Sequence, residues 1–423
     1  MSNRARALLF AVIAAAAIWH VLVLFAPEKQ ASPRDSAGRD FASYYYAAVV
    51  ASEGGDPYEK DALLAAAAED RIRRNVHPFF YPPPYLLVVA WAPAVDLLTG
   101  FSIWKIIDEI ATLLTGVALW GWWRRLPARG DLGPVVVPGA IALLLAGMYA
   151  VSYGHQMGQA NFLVLLITVL GLSQDRERPW LAGAFVGVAC MLKMSPALFV
   201  GWWLLQRNWK AAGAAVITAV VLSVAALGVV GVHDQFAFYT EIMPGFGSGN
   251  YNGLTIRIDM FGNHSTPNVW EQLWPGDQTR LTGPAQLASS GTAIALVLGL
   301  GAAFRRPGRD LLAHAAQASA IAIATLLIPV YTYEHHLVWA IPGIVLAITA
   351  AAAGRLHRAW WIPLGLAVAA LCFPLPDLKE IATDLLSGPL GWLAQESKFL
   401  GLWVIFGCCV TVGISRGAPA SAD

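Results

Sequence analysis

Charged residues are scarce in this sequence. Only 13% of its 423 residues are Asp, Glu, Lys or Arg, whereas 57% are hydrophobic. A soluble domain carries about 25% charged residues. The low charge therefore excludes an ordinary soluble domain and predicts an all-α, polytopic integral membrane protein.

The chain also lacks the features of several other classes of protein. Its formal net charge is +1, and its basic residues form short clusters between apolar segments, so no nucleic-acid partner is expected. The phosphate-cradling pattern Gly-x-x-x-x-Gly-Lys-Ser/Thr is absent, and no cofactor is expected. Cysteines occur only within apolar runs and without zinc-site spacing, which predicts buried thiols rather than disulfides. They are Cys190, Cys372, Cys408 and Cys409.

Long apolar runs are abundant. The run from Ala7 to Phe25 is nearly long enough to span a bilayer and no small-residue cleavage site follows it, so it predicts an uncleaved first helix with a cytoplasmic N-terminus. About thirteen apolar segments would put Arg416 outside, against the positive-inside tendency. We therefore expect the proline-rich run 81–98 to be re-entrant, which leaves about twelve spans. The other spans are predicted near 103–123, 134–151, 160–173, 211–231, 285–304, 311–330, 337–353, 360–375 and 398–415.

The sequence predicts one transmembrane catalytic domain over residues 1–415 and a disordered tail over 416–423. Two hydrophilic stretches, 28–80 and 233–284, interrupt the apolar runs and are expected on the extracytoplasmic side. The second contains a glycine-rich loop that ends at Gly253.

Two surface helices are predicted in the first hydrophilic stretch. Residues 41–52 place Phe41, Tyr44 and further apolar residues on one face, as in a helix lying in the headgroup layer. Asp56-Pro57 then predicts the N-cap and first residue of a second helix that runs to about Arg74.

The segment from 179 to 206 predicts a broken helix. Leu181 to Leu192 and Pro196 to Leu205 are each too short to cross about 30 Å of hydrocarbon. Both flanks are basic, so we expect a pair of shortened helices with Lys193 at the apex, facing a wet cavity. The alternative is one kinked span whose lysine snorkels to the interface.

Asp40 lies at the start of the first surface helix. A carboxylate at a membrane–water boundary is partly desolvated yet reaches hydrophilic substrates, which suits a general base. The alternative is that Asp40 caps the helix by accepting a bond from a free N–H group. The residues alone leave both possibilities open.

Three polar clusters interrupt the apolar runs, and the predicted topology opens all of them to the side of Asp40. Burying such polar side chains in a membrane costs free energy unless they face water, a partner or a ligand. They are Tyr153 to Asn161, Lys193, and Tyr331 to His336.

We expect these clusters to share a cavity without a metal. Glu334, His335 and His336 could bind one, but adjacent histidines diverge and no His-x-x-x-His pattern accompanies them. A histidine or Lys193 would instead hold the phosphate of an anionic lipid while a carboxylate activates a hydroxyl. The alternative for the third cluster is an interfacial turn with aromatic anchors.

Six short motifs, in this order, resemble glycosyltransferase family 87 over the region from the first helix to about residue 345. They are Arg39-Asp40-Phe41, Gly55-Asp56-Pro57-Tyr58, Phe80-Tyr81-Pro82-Pro83, Gly158-Gln159-Ala160-Asn161-Phe162, Leu192-Lys193-Met194-Ser195-Pro196 and Tyr333-Glu334-His335-His336-Leu337-Val338-Trp339. That family comprises polyprenyl-phosphate-mannose-dependent mannosyltransferases of the glycosyltransferase C superfamily. It is known chiefly from mycobacterial phosphatidylinositol mannoside and lipoglycan synthesis.

The resemblance implies a catalytic Asp40, a histidine of the His335-His336 pair near the donor phosphate, and a lipid-linked sugar donor without a metal. With Lys193 as a second phosphate ligand, this predicts inverting transfer of one sugar, mannose by family habit, to a lipid or glycan hydroxyl outside a bacterial plasma membrane. Further substrate contacts are predicted at Tyr81, His155, Gln159, Asn161, Asn250 and Glu334. Residues 249–253 depart from the family's Asn-x-Ser pattern.

Two rival functions belong to other classes of membrane protein. A transporter or flippase of lipid-linked substrates would also have broken helices and buried polar residues. The long loop 28–80 and the lack of an internal repeat favour an enzyme. A glycan ligase with a lipid-pyrophosphate donor would share the same chemistry.

Overall fold

The computed structural model describes residues 38–72, 76–125, 133–254, 256–277 and 279–415, with a few isolated positions before residue 38. Several predictions concern residues outside this part of the chain. These predictions concern most of the first span, the loop 28–37, the end of the second surface helix at Arg74, and the tail 416–423.

The described residues form α-helices and loops without a β-strand, which confirms the all-α prediction. The first nine helices are α1 (Arg39–Ser52), α2 (Lys60–Glu69), α3 (Tyr85–Val89), α4 (Leu97–Trp123), α5 (Gly133–Gly147), α6 (Tyr149–Met157), α7 (Asn161–Leu172), α8 (Pro179–Leu192) and α9 (Ala197–Leu205). The others are α10 (Trp209–Ala237), α11 (Thr266–Leu273), α12 (Gly283–Phe304), α13 (Leu311–Leu327), α14 (Ile341–Ala352), α15 (Trp361–Cys372), α16 (Leu375–Glu380), α17 (Gly388–Gln395) and α18 (Ser397–Ile414). Short 3₁₀ helices include Ala92–Ala94, Met243–Ser248 and Glu334–Ala340.

Apolar helices long enough to cross a bilayer confirm a polytopic membrane protein. Among the described residues, 4 helical stretches qualify by length and composition, or 6 if each of two bent pairs is one span. The 4 stretches are Trp209–Ser248, Gly283–Phe304, Glu334–Ala352 and Ser397–Ile414. The expected total of about twelve spans would also need the shorter apolar helices and stays a prediction.

The proline-rich run 81–98 does not form a long helix. It contains α3, which has 5 residues, and the 3₁₀ turn Ala92–Ala94. A helix of this length rises only about 8 Å, far less than the hydrocarbon thickness. This helix alone does not cross the bilayer, and the re-entrant course of run 81–98 stays a prediction.

The first surface helix forms as predicted, but its predicted exposure is wrong. Residues on all sides of α1 are buried, including Ser43 and Tyr46 as well as Phe41 and Tyr44. The helix packs against α2, α3 and α4. It is therefore embedded in protein rather than lying with one face in the headgroup layer.

The second surface helix starts later than predicted. The N-cap of α2 is Glu59, and the helix covers Lys60–Glu69. Asp56 Oδ1 accepts a hydrogen bond of 2.8 Å from the backbone N–H of Tyr58. Asp56 therefore closes a local turn, the common alternative role of an Asp side chain, and does not cap the helix.

The helices α8 and α9 form the predicted pair with Lys193 at its apex. Asp175 precedes α8 and Asn208 follows α9, yet the Asn208 amide donates to the Asp175 carbonyl at 3.3 Å. The Trp203 indole of α9 also donates to Asp175 Oδ2 at 3.2 Å. Both ends of the pair therefore lie on one side, which excludes the single kinked span.

Glycines let α8 pack closely against α10. A Cβ atom on Gly183 would lie 2.1 Å from the carbonyl oxygen of Ala211, and one on Gly187 would lie 2.6 Å from that of Ala215. Small residues at such a spacing allow two helix backbones to approach in a membrane, where close packing drives helix association. This contact fixes the hairpin that carries Lys193.

We expect Gly183→Ala to lower the thermal unfolding temperature in detergent, because overpacking at a close contact costs about 1–3 kcal/mol. Gly213→Ala is the matched control, since no atom lies within 4 Å of a Cβ placed there. Equal unfolding temperatures for the two variants would contradict this packing role.

Candidate active site

A tight turn between α6 and α7 is the centre of the site. Gly158 adopts a positive φ of 70°, and a Cβ there would lie 2.6 Å from Cβ of Phe41. The Trp104 indole of α4 donates to the Gly158 carbonyl at 2.8 Å. Glycine is thus required by both conformation and space. The turn holds Gln159 and Asn161 between several other elements.

Gln159 binds the carboxylate of Asp40. Its amide nitrogen donates to Asp40 Oδ2 at 2.6 Å, and His77 Nδ1 lies 3.3 Å from Asp40 Oδ1. The N-cap of α1 is Gly38, and Asp40 makes no capping bond. The capping alternative is therefore excluded. The Asp40 side chain keeps 13% exposure, enough for one edge to reach a ligand.

The environment of Asp40 favours its ionised form. Burial raises the pKa of this carboxyl, but the hydrogen bond from His77, the charges of His335 and His77, and the Gln159 bond outweigh it. The net pKa lies below the ordinary value of 3.8. Asp40 is consequently a carboxylate at neutral pH, able to accept a proton or to orient a hydroxyl group.

Asn161 connects two of the other predicted polar groups. The Lys193 ammonium donates to Asn161 Oδ1 at 2.8 Å, and the Asn161 amide donates to the carbonyl of His335 at 2.9 Å. Gln159, which binds Asp40, lies only two residues before Asn161. The turn therefore brings together Asp40, Lys193 and His335. These groups come from α1, the α8–α9 break and the 3₁₀ helix Glu334–Ala340.

The two histidines have different surroundings. The His335 ring stacks on Tyr153, with 6.0 Å between ring centroids. His336 Nδ1 accepts a hydrogen bond of 3.1 Å from the backbone N–H of Tyr333. His335 is almost fully buried, and its Nδ1 makes no hydrogen bond to any described residue. His335 is therefore the better placed of the two to bind a ligand.

Tyr81 belongs to the same hydrogen-bond network. Its hydroxyl accepts from Tyr44 at 2.8 Å and lies 3.4 Å from Gln159 Oε1, to which it donates. Burial and the neighbouring Asp40 charge raise the pKa of the Tyr81 phenol, so it stays protonated. Tyr81 thus orients the Gln159 amide toward the carboxylate.

Three predicted substrate contacts lie in other surroundings. His155 is buried with its Nδ1 2.8 Å from Asp108 Oδ2 of α4. Asn250 Oδ1 accepts from the backbone N–H of Gly253 at 3.0 Å, within its own turn. Glu334 is buried between other side chains, as described next. Their substrate roles stay predictions, and the structure does not show them in contact with Asp40.

Glu334 is held by a buried ionic cluster. Its Oε2 lies 3.1 Å from His264 Nε2, and the ammonium group of Lys398 donates to its Oε1. Lys398 belongs to α18 and is fully buried. The cluster ties the turn before His335 to the second hydrophilic stretch and to the C-terminal helix.

Sequence reasoning missed several residues of these networks. His77 and Tyr44 contact the network of Asp40 directly, while Asp108, His264 and Lys398 hold the surrounding elements. A signal existed for Asp108, because an acidic residue inside an apolar helix indicates a specific partner. Among the described residues, no group of three His, Cys, Asp or Glu side chains could hold a metal ion.

We expect Gln159→Leu to move the acid limb of the pH–activity profile to higher pH. Removing the bond to the ionised form raises the pKa of Asp40, since its burial remains. The acid limb of the wild-type profile should lie below the ordinary range of a carboxyl group, because the pKa of Asp40 is lowered and activity is lost only when this carboxylate becomes protonated. Initial rates between pH 3 and 8, with the exposed Gln286→Leu as control, measure this. Superimposable profiles would rule out the effect.

Comparisons with known proteins point to one family. The family model described as "Glycosyltransferase family 87" matches residues 79–329. The chain is 26% identical over 364 residues to a polyprenol-phosphate-mannose-dependent alpha-(1-2)-phosphatidylinositol mannoside mannosyltransferase of Mycolicibacterium smegmatis, covering 80% of this chain and 76% of that protein. Its namesake in Mycobacterium tuberculosis is 25% identical over 285 residues, 63% of this chain and 61% of the relative.

A third relative has a different name. An alpha-(1->3)-arabinofuranosyltransferase of Mycobacterium tuberculosis is 37% identical over 201 residues, which cover 43% of this chain and 44% of that protein. All three relatives are glycosyltransferases, and the resemblance found in the motifs is confirmed.

Proposed function

Because the chain belongs to glycosyltransferase family 87, we propose that it transfers one sugar from a polyprenyl-phosphate donor to a hydroxyl of a lipid or glycan acceptor. The observation that carries the proposal is the Asp40 carboxylate bound by Gln159. Gln159 lies two residues before Asn161, which contacts Lys193 and His335. Mannose is the first candidate sugar, because two relatives are named for it. A pentose is the second, because of the third relative's name.

The proposed reaction is a direct displacement. Asp40 takes the proton of the acceptor hydroxyl as its oxygen forms a bond to the anomeric carbon. The bond between that carbon and the phosphate oxygen breaks, and polyprenyl phosphate leaves with the electron pair. The anomeric carbon is inverted. One carboxylate suffices, unlike the pair used in glycoside hydrolysis, because a phosphate leaving group needs neutralisation rather than an acid.

Lys193 and His335 are the proposed ligands of the departing phosphate. Both lie at the Asn161 side of the site, and a lysine ammonium is a strong point charge for phosphate. The donor's polyprenyl chain would remain among the apolar helices while its phosphate reaches these groups. The His336 ring lies 4.3 Å from that of His335, centroid to centroid, and is therefore also near the proposed phosphate position.

The proposed location of the site is the outer face of a bacterial plasma membrane. Lys193 is at the apex of the α8–α9 pair, whereas Arg176, Arg207 and Lys210 flank its base. Basic flanks favour the cytoplasmic side, so the apex points to the opposite side. A carboxylate there meets a lipid-linked donor and a glycolipid acceptor at the same interface.

Asp40→Asn should reduce transfer by about 100-fold or more, because general-base catalysis contributes 10²–10⁴-fold. The assay uses purified protein, radiolabelled polyprenyl-phosphate mannose and a membrane glycolipid extract. Asp61→Asn, in the exposed first turn of α2, is the matched control and should keep full activity. Substantial turnover by the folded Asp40 variant would remove this residue from the role.

Lys193→Ala should raise the half-saturating donor concentration about 10- to 100-fold, the value of a hydrogen bond to a charged group. The half-saturating acceptor concentration should change little, since the lysine is assigned to the donor phosphate. Lys210→Ala, at the exposed base of the helix pair, is the control. Unchanged donor dependence in the Lys193 variant would contradict the phosphate assignment.

A further inference from the structure

The glycine-rich loop of the second hydrophilic stretch has no part in the proposed steps, yet it contacts a segment that reaches Asp40. Asn252, near the end of this loop, adopts a positive φ of 51°. Asparagine is one of the few residues that take up this backbone conformation readily. Its side-chain amide nitrogen donates two hydrogen bonds of 2.8 Å, one to the carbonyl of Tyr58 and one to that of Phe79. The loop therefore holds two points of the first hydrophilic stretch together.

Phe79 lies in the middle of a short segment, residues 77–81, which we call the strap. The Phe79 side chain is fully buried. At the end of the strap, the carbonyl of Tyr81 accepts a hydrogen bond of 2.9 Å from the Tyr58 hydroxyl. Because Asn252 binds the carbonyls of both Phe79 and Tyr58, it fixes the strap directly and through its second anchor.

Both ends of the strap reach the carboxylate of Asp40. At one end, His77 Nδ1 lies 3.3 Å from Asp40 Oδ1. At the other end, the Tyr81 hydroxyl donates to Gln159 Oε1 at 3.4 Å. The Gln159 amide nitrogen in turn donates to Asp40 Oδ2 at 2.6 Å. The strap therefore acts on each oxygen of the carboxylate, directly through His77 and indirectly through Gln159.

We propose that Asn252 is a positioning residue for Asp40: it holds the Phe79 carbonyl and so fixes the strap, which in turn orients the carboxylate. This inference rests on the proposed role of Asp40 as general base. Such a base has to meet the acceptor hydroxyl at hydrogen-bond distance, and a small displacement lowers the rate steeply. Asn252 is assigned no contact with either substrate, so its loss should act on turnover rather than on substrate binding.

Asn252→Gly is the test variant, because glycine keeps the positive φ and removes only the side chain. Gln317→Ala is the matched control. The Gln317 amide also donates to the carbonyls of two distant residues, Arg306 at 3.1 Å and Gly413 at 3.3 Å. It contacts Gln206, which follows α9 at the base of the α8–α9 pair. Both variants should lower the thermal unfolding temperature in detergent, so a general loss of stability is matched.

Kinetics separate turnover from binding. The assay measures transfer from radiolabelled polyprenyl-phosphate mannose to a graded membrane glycolipid extract. Asn252→Gly should lower the maximal rate about 10- to 100-fold, the cost of a small misplacement of a catalytic group. Its half-saturating concentrations of donor and extract should stay near the wild-type values. Gln317→Ala should keep the wild-type maximal rate per folded protein.

Two kinetic outcomes would overturn the proposal. An unchanged maximal rate in the folded Asn252→Gly variant would show that this side chain only stabilises the fold. A raised half-saturating concentration of donor or extract with an unchanged maximal rate would place Asn252 at a substrate instead.

A second readout does not depend on the reaction. Diethyl pyrocarbonate modifies accessible imidazole rings, and mass spectrometry measures the rate at which His77 is modified. The His77 side chain is 23% exposed while it is held at Asp40. Asn252→Gly should raise the modification rate several-fold because the strap is released, whereas Gln317→Ala should not. Equal rates in the wild-type protein and in Asn252→Gly would show that Asn252 does not hold the strap and would overturn the inference.

The two readouts keep this inference apart from the proposed function. Absence of transfer by the wild-type protein, together with faster modification of His77 in Asn252→Gly, overturns the transferase function while the hold of Asn252 on the strap stands. Transfer by the wild-type protein with an equal His77 modification rate in the variant overturns the positioning role alone.

Discussion

The hydrogen bond from the Gln159 amide to the Asp40 carboxylate is the interaction on which the site depends. It joins α1 to the turn between α6 and α7 across 119 residues of sequence. The same turn binds Lys193 and the backbone of His335 through Asn161. A two-residue spacing in one tight turn therefore sets the relative positions of a carboxylate, a cation and an imidazole from three distant segments.

A second buried cluster supports this arrangement from the C-terminal side. Glu334 pairs with Lys398 and His264, so the turn that carries His335 cannot shift without exposing or separating buried charges. Removing one partner of such a pair costs about 3–5 kcal/mol, because the other charge is left buried and unpaired. Lys398 lies beyond residues 79–329, the region that matches the family. The C-terminal helix is thus part of the site's support.

The sequence predicted those features that local pattern determines. The apolar runs predicted most of the helices. Lys193 and Pro196, between two short apolar runs, predicted the α8–α9 pair. The sequence could not predict the burial of Ser43 and Tyr46, because an apolar stripe shows which residues prefer to be buried but not what covers the other side. Packing of α1 among α2, α3 and α4 decides this.

Long-range hydrogen bonds were equally invisible to sequence pattern. Asn250 was predicted to bind substrate, whereas Asn252 makes the long-range contact, donating to the carbonyls of Tyr58 and Phe79, each at 2.8 Å. Two asparagines in one glycine-rich run look alike until partners 194 and 173 residues away are known. From the sequence, Asp40, Lys193 and His335 could be predicted to lie on the same side of the membrane, but not to lie close together.

Competition from water is the remaining constraint on such a site. A carboxylate able to activate a sugar hydroxyl can also activate water, and hydrolysis would then consume the donor. Asp40 is only 13% exposed, and Gln159 and His77 occupy its two oxygens. The phenols of Tyr44 and Tyr81 bind each other, and both side chains are buried. If Asp40 is the general base, as proposed, a hydroxyl that reaches it has to be held in place by contacts beyond the reacting group, which a bound acceptor would provide and a water molecule would not.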